Sequence, residues 1–130
     1  MNIYLIISGI LCLILGLLHS ILGELLIFRT KKKTNKLVPT LVTNGLKERH
    51  LRIIWATWHL TSFFGWCIGT LLIKIALDQN LVSKELLKFI IASISISMFC
   101  SSILVFTATK GKHPGWIILL GISILTFLGT

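Results

Sequence analysis

Charged side chains are scarce in this sequence of 130 residues: they make up 13% of it, and only four are acidic. A soluble domain carries about twice that charged fraction. Proline occurs twice, and the three cysteines form no CxxC pair, which excludes a zinc ribbon and a thioredoxin motif. The composition therefore argues against an ordinary soluble domain.

Long apolar runs take the place of the missing charge. Hydrophobic residues supply 55% of the chain and are interrupted only by short charged clusters, a pattern typical of helices that span a bilayer. We predict an all-α fold in which residues 1–130 form a single membrane domain, a bundle of four transmembrane helices. The predicted helices cover roughly 3–28, 50–77, 86–109 and 114–130.

The basic residues are distributed unequally between the connections. Eight Lys and Arg lie between Arg29 and Arg52, three lie near the second connection, and Lys110 and Lys112 lie in the third. Cytoplasmic loops are enriched in Lys and Arg, so we predict a long basic first loop in the cytoplasm and both termini outside. We do not attribute the net charge of +9 to nucleic-acid binding, because the basic residues flank apolar spans.

Two histidines lie within the first two spans. Small residues at steps of three and four mark a helix contact face, and His19 shares that spacing with Gly16 and Gly23, as His59 does with Ser62. His19 precedes Arg29 by ten residues, and His59 follows the basic cluster by a similar distance. Each imidazole is therefore expected about 15 Å from the cytoplasmic boundary, which makes His19 and His59 the main candidate site.

Imidazole is a common ligand of transition metals and of haem iron. A metal ion or haem b is accordingly one candidate ligand for His19 and His59, with Cys100 as a third metal ligand at a similar depth. Haem needs axial ligands on opposite faces, which is tight for helices packed about 8–10 Å apart. The alternative for Cys100, and for Cys12 and Cys67, is simple packing as small apolar side chains.

Glu24 is the one acidic residue inside an apolar span. A carboxylate there needs a partner, and Arg52 lies at a similar depth in the second span. We predict a Glu24–Arg52 ion pair, with Ser20 one turn from Glu24 and able to orient it.

A group of basic and aromatic residues lies near the cytoplasmic boundary. These residues are candidates for binding the head groups of anionic lipids, although the same pattern follows from the positive-inside rule alone. The group consists of Arg49, His50, Lys110, Lys112, His113 and Trp116.

Three short motifs run through these positions: His19-x3-Gly23-Glu24, Arg52-x2-Trp55-x2-Trp58-His59 and His113-Pro114-x-Trp116. Together they resemble a group of small bacterial inner-membrane proteins with four helices. The resemblance implies the four-helix topology and a location in the bacterial inner (cytoplasmic) membrane, and it draws attention to the same histidines. It implies no activity.

Three functions remain open. The chain is a cofactor-binding protein, a structural or assembly subunit whose buried polar residues specify helix packing, or an enzyme or proton-relay protein that binds anionic lipid. No nucleophile–base pair, paired carboxylates or phosphate-binding loop is evident, so no catalytic residue is assigned. The expected partners are the lipid bilayer and anionic lipids, with a homo-oligomer or a larger membrane complex as further alternatives.

Overall fold

The computed structural model describes residues 1–29, 47–78 and 83–130, and these residues form helices with short connections. The prediction of an all-α fold with four helices is confirmed. Helix α1 covers Ile3–Leu22 and continues as a wider π-helical turn over Gly23–Phe28; α2 covers Glu48–Leu77, α3 covers Lys84–Thr109 and α4 covers Gly115–Leu128. Most of the predicted first loop lies outside the described residues.

Three of the helices are long and apolar enough to span a membrane, and α4 is shorter. The fourth helix was expected to reach the last residue, yet its 14 residues end at Leu128. They make about 21 Å of helix, against a hydrocarbon core of about 30 Å. The dimensions thus fit a helical membrane bundle with one short member.

Side chains and turns define the helix ends. Asn2 accepts a hydrogen bond from the Leu5 amide at the start of α1, and Ser83 accepts one from the Leu86 amide at the start of α3. Helix α3 ends at Thr109, and the next residue, Lys110, adopts a left-handed φ of 52°. The following Gly111 amide then returns to the Phe106 carbonyl, which is a Schellman turn.

Helix α1 lies at the centre of the bundle, with α2 on one side and α4 on the other, and α3 packs against α4. Neighbouring helices are antiparallel. At the start of α1 the Asn2 amide donates to Ala76 at the end of α2, and the Asn2 side chain donates to Gly129 after α4.

Glycines allow α1 and α2 to approach closely. A Cβ atom added at Gly9 would lie 2.7 Å from the Gly69 carbonyl oxygen, and one added at Gly69 would lie 2.8 Å from the Gly9 oxygen. Real Cβ atoms do not come that close, so any larger residue would push the helices apart. Small residues serve this purpose in membrane helix pairs.

Hydrogen bonds from serine and threonine hydroxyl groups link the helices at the other two interfaces, α1–α4 and α3–α4. The Ser8 hydroxyl of α1 lies 2.5 Å from the Thr126 hydroxyl of α4. Between α3 and α4, Ser95 and Ser123 each donate to the other's backbone carbonyl at 2.9 Å. These bonds satisfy polar groups that would otherwise be costly to bury.

The exterior of the bundle is strongly apolar. Large side chains such as Leu26, Phe89 and Leu104 are 75%, 70% and 68% exposed. A soluble protein rarely exposes a continuous apolar surface of this kind, which fits the length and apolarity of the three long helices.

Candidate functional site

Trp58 of α2 fills a space that Gly23 leaves in α1. Its Nε1–H donates to the His19 carbonyl at 2.9 Å, and its ring stacks on the His19 imidazole with centroids 4.2 Å apart. A Cβ atom at Gly23 would lie 1.9 Å from the Trp58 nitrogen. The glycine is therefore required by the position of the indole.

Trp66 makes the same kind of contact two turns further along α2. Its Nε1–H donates to the Leu13 carbonyl at 3.2 Å, and a Cβ atom at Gly16 would lie 2.7 Å from that nitrogen. Two glycines seven residues apart in α1 thus receive two tryptophans of α2.

The π-helical turn begins where Trp58 is bound. The Gly23 amide is shared between the carbonyls of His19 and Ser20, and the Arg29 amide returns to the Glu24 carbonyl. Wide turns of this kind occur mainly as single interruptions of α-helices, frequently at functional sites. In this chain the turn carries Glu24.

A chain of polar contacts joins the two helices beside this turn. Ser20 Oγ lies 2.7 Å from His59 Nδ1, and His59 Nε2 lies 3.5 Å from Glu24 Oε2. Trp55 donates its Nε1–H to the same Glu24 oxygen at 3.0 Å. The direction of the Ser20 bond depends on which imidazole nitrogen of His59 carries a proton. With the proton on Nε2, the Ser20 hydroxyl donates to Nδ1 and the Nε2–H faces the carboxylate. We call these four residues the Glu24 cluster.

The Glu24 cluster borders a groove on the outer surface of α1 and α2. The groove is wide open to the outside and has a volume of about 590 Å³. Its exposed apolar side chains include Leu60 at 50% and Phe63 at 59%. The side chains of Glu24 and His59 are 31% and 18% exposed. The groove is lined by Glu24, Trp55, Ala56, His59, Leu60 and Phe63.

The two histidines that the sequence singled out make different contacts. His59 belongs to the Glu24 cluster, whereas His19 stacks on Trp58 and lines a second, smaller groove with Thr57 and Thr61. Each imidazole thus has its own contacts, and the two line different grooves of the described residues.

Cys100 does not join these histidines. It is exposed on α3, which packs against α4 rather than against α1 or α2. Cys12 is buried between helices and Cys67 is exposed. Within residues 1–29, 47–78 and 83–130, no three His, Cys, Asp or Glu side chains gather as metal ligands, so the described structure gives no support to a metal or haem site.

The predicted Glu24–Arg52 ion pair is not among the contacts of the described residues. Arg52 bonds Glu48 one turn earlier in α2, where both side chains are about half exposed. Residues four apart on a helix are surface neighbours, and this pairing directs Arg52 to its own helix. Glu24 instead contacts Trp55 and His59.

The candidate lipid-binding residues lie at one end of the bundle, in the first turn of α2 and around the α3–α4 turn. Arg49, His50, Lys110 and Lys112 are exposed. The side chains of the last two candidates are used within the turn. His113 Nδ1 accepts the Gly115 amide, and Trp116 donates to the Gly111 carbonyl.

Sequence reasoning missed the roles of Trp55 and Trp58. The available signal was the seven-residue spacing of Gly16 and Gly23, matched by the eight-residue spacing of Trp58 and Trp66. A glycine in one helix opposite an indole in its neighbour is a contact that this spacing could have indicated.

Comparison with known proteins identifies no relative. No protein-family model matches the chain, and no curated protein or solved structure matches it significantly.

Proposed function

We propose that this chain is an integral protein of the bacterial inner membrane whose Glu24 cluster is an acid–base site open to the lipid. In this proposal the four helices cross the bilayer, with the basic first loop in the cytoplasm. A membrane-soluble amphiphile binds in the groove, and Glu24 and His59 bind its polar group and exchange a proton with it.

The observation that carries the proposal is a carboxylate beside an imidazole at the edge of an apolar groove. Ionisable groups within membrane spans are costly and are retained mainly where they act. Trp55 and Ser20 hold Glu24 and His59 in place, which is the fixed arrangement that proton exchange requires.

The position of the groove supports an amphiphile as the ligand. Glu24 precedes Arg29 by five residues, so it lies about 8 Å from the basic boundary. From Trp55 to Phe63 the groove follows α2 for about 12 Å away from that boundary. A polar head would thus lie near the membrane surface and an apolar tail nearer the bilayer centre.

Selective carbodiimide labelling tests the proposal. In nanodiscs, hydrophobic N,N′-dicyclohexylcarbodiimide should modify Glu24, whereas a water-soluble carbodiimide should modify the exposed Glu48 and Glu85. Peptide mass spectrometry distinguishes the three sites in one preparation. Labelling of Glu24 only by the water-soluble reagent, or by neither reagent, would refute a lipid-accessible acid–base site.

A structural role is the second candidate. It is favoured by the bonds of Trp58 and Trp66 to the backbone of α1, which fix the pairing of α1 and α2 whatever the chain binds. In that case Glu24 and His59 only specify packing, and Glu24 should resist the hydrophobic reagent in the intact bundle.

A further inference from the structure

We propose that the turn between α3 and α4 binds the head group of an anionic phospholipid through Lys110, Lys112 and His113. From the proposed function, this inference takes only that the helices cross the bilayer. It follows from the backbone of the turn, the hydrogen-bond donors that the turn exposes, and the charges at that end of the helices.

Lys110 occupies a backbone position that glycine usually fills. Its φ of 52° is the left-handed conformation of the residue after the helix in a Schellman turn, and a lysine side chain is strained there. Glycine at this position would close the same turn with less strain. Residues held in such conformations cluster at ligand-binding sites, so the lysine is expected to contribute something other than stability.

The turn exposes hydrogen-bond donors. The side chains of Lys110, Lys112 and His113 are all exposed. His113 Nδ1 accepts the Gly115 amide at 3.0 Å, so the proton of a neutral imidazole lies on Nε2, which is then a donor. Three donor side chains within four residues suit the oxygens of a phosphate group.

Aromatic contacts hold the turn at the end of apolar helices. Trp116 donates its Nε1–H to the Gly111 carbonyl at 3.3 Å, and its ring meets Phe106 edge-on with centroids 5.1 Å apart. Next to the turn on α3, Leu104 and Phe106 are 68% and 47% exposed. A phospholipid whose head group lies at the turn would place its acyl chains against these apolar side chains, which favours a lipid over a soluble phosphate compound.

The charges at this end of the helices favour an anionic head group. The whole chain has four acidic residues, of which Asp78 and Glu85 lie at the opposite end of the helices and Glu48 bonds Arg52. Glu24 is then the only other carboxylate at this end. Clusters of Lys and Arg beside a membrane attract anionic lipids. The basic residues at this end include Arg29, Lys47, Arg49, Lys110 and Lys112.

Matched double substitutions at the two ends of α3 test the inference. The full-length protein is placed in nanodiscs of phosphatidylcholine and phosphatidylglycerol in equal amounts, and native mass spectrometry counts the lipids that stay bound. Phosphatidylglycerol should be enriched on the wild type, and the enrichment should fall at least about fivefold when Lys110→Gln and Lys112→Gln are combined, since each lysine beside an anionic surface contributes roughly that factor.

The control combines Lys84→Gln and Lys88→Gln, which remove the same charge at the other end of the helix. The control should keep the enrichment. An equal fall in both double variants would show that only the net charge matters and would overturn the proposed site, as would a wild type without enrichment.

Lys110→Gly separates lipid binding from folding. It removes the side chain but relaxes the backbone of the turn, so resistance to unfolding by sodium dodecyl sulfate should be at least that of the wild type while the enrichment falls. Lys110→Arg keeps the charge and should keep the enrichment. Unchanged enrichment in Lys110→Gly would contradict the role of Lys110.

Inorganic phosphate distinguishes the lipid from a free anion. At constant ionic strength it should not displace phosphatidylglycerol, because the acyl chains add to the binding of the lipid. Displacement would assign the turn to a soluble phosphate compound and overturn the inference. Carbodiimide labelling of Glu24 in the same nanodiscs reports on the proposed function separately, so either proposal can fail while the other stands.

Discussion

Trp58 contacts His19 twice, once through its ring and once through its N–H. The ring planes are 7° from parallel with centroids 4.2 Å apart, and Nε1–H donates to the His19 carbonyl at 2.9 Å. This hydrogen bond can form because Gly23 has no side chain to occupy the space of the Trp58 indole. The α1–α2 interface beside the Glu24 cluster therefore depends on a glycine and an indole together.

Gly23→Ala should accordingly destabilise the bundle. The new methyl group would overlap the Trp58 indole, and forced overpacking costs about 1–3 kcal/mol of the free energy of unfolding, or more when nothing can move. Denaturation by sodium dodecyl sulfate, followed by circular dichroism, measures the loss.

The matched control is Gly65→Ala, in the same interface. A Cβ atom there would lie 3.7 Å from its nearest neighbour, the Cys12 carbonyl, an ordinary contact distance. If Gly65→Ala is as destabilising as Gly23→Ala, the steric explanation is wrong.

The sequence predicted the number and type of the helices well and the contacts between polar residues less well. Hydropathy depends on composition along one helix. A contact between two helices, such as the expected Glu24–Arg52 pair, also depends on the rotation of each helix, whereas Glu48 is a neighbour of Arg52 on α2 itself. The glycine spacing located the face of α1 correctly. It did not show that Trp58 would stack on His19, because ring stacking depends on rotamers that periodicity does not encode.

Helix α3 shows the same limit. Small residues at a regular spacing indicate a helix contact face, and Ser93, Ser97 and Ser101 repeat every four residues. Ser97 and Ser101, however, bond the backbone of their own helix. The buried serines are Ser95 and Ser102. The four-residue repeat of serines therefore lies on a different side of α3 from the serines that are buried.

Ser95 and Ser123 should be energetically coupled. Each donates to the other's carbonyl, so either alanine substitution should cost about 0.6–1.7 kcal/mol, the range of such bonds in membrane bundles. The double variant should cost less than the sum of the two. Ser97→Ala is the control and should change the free energy of unfolding by under about 0.5 kcal/mol. Simple additivity of Ser95→Ala and Ser123→Ala would show that the bonds are independent.

A second double-mutant cycle distinguishes the two possible partners of Arg52. Its bond to Glu48 is exposed and lies within one helix, so Glu48→Gln and Arg52→Gln should couple by about 0.3–0.5 kcal/mol. Glu24→Gln and Arg52→Gln should be additive within about 0.5 kcal/mol. Strong coupling of the latter pair would restore the ion pair that the sequence predicted.

Orientation in the membrane stays a prediction from the distribution of basic residues. In a variant without the native cysteines, Lys112→Cys should be shielded from an impermeant thiol reagent added to intact cells, and Lys84→Cys should react. Lys84 and Lys112 lie at opposite ends of α3, so the pair also reports whether α3 crosses the bilayer. The reverse pattern would invert the topology.

The two histidines should respond differently to substitution, because they lie in different surroundings. His19→Ala removes the stack on Trp58 and should cost about 0.5–1.5 kcal/mol beyond the lost burial, with a change in tryptophan fluorescence. His59→Ala removes the contacts to Ser20 and Glu24 and should alter the rate at which a hydrophobic carbodiimide labels Glu24. A neighbouring imidazole influences a carboxyl group strongly. We therefore expect the labelling rate of Glu24 to change by at least about threefold in His59→Ala and little in His19→Ala.

The optical spectrum and metal content of the same preparations test the hypothesis of a shared ligand. A haem band or stoichiometric metal that disappears equally in both variants would show that His19 and His59 act as one site after all.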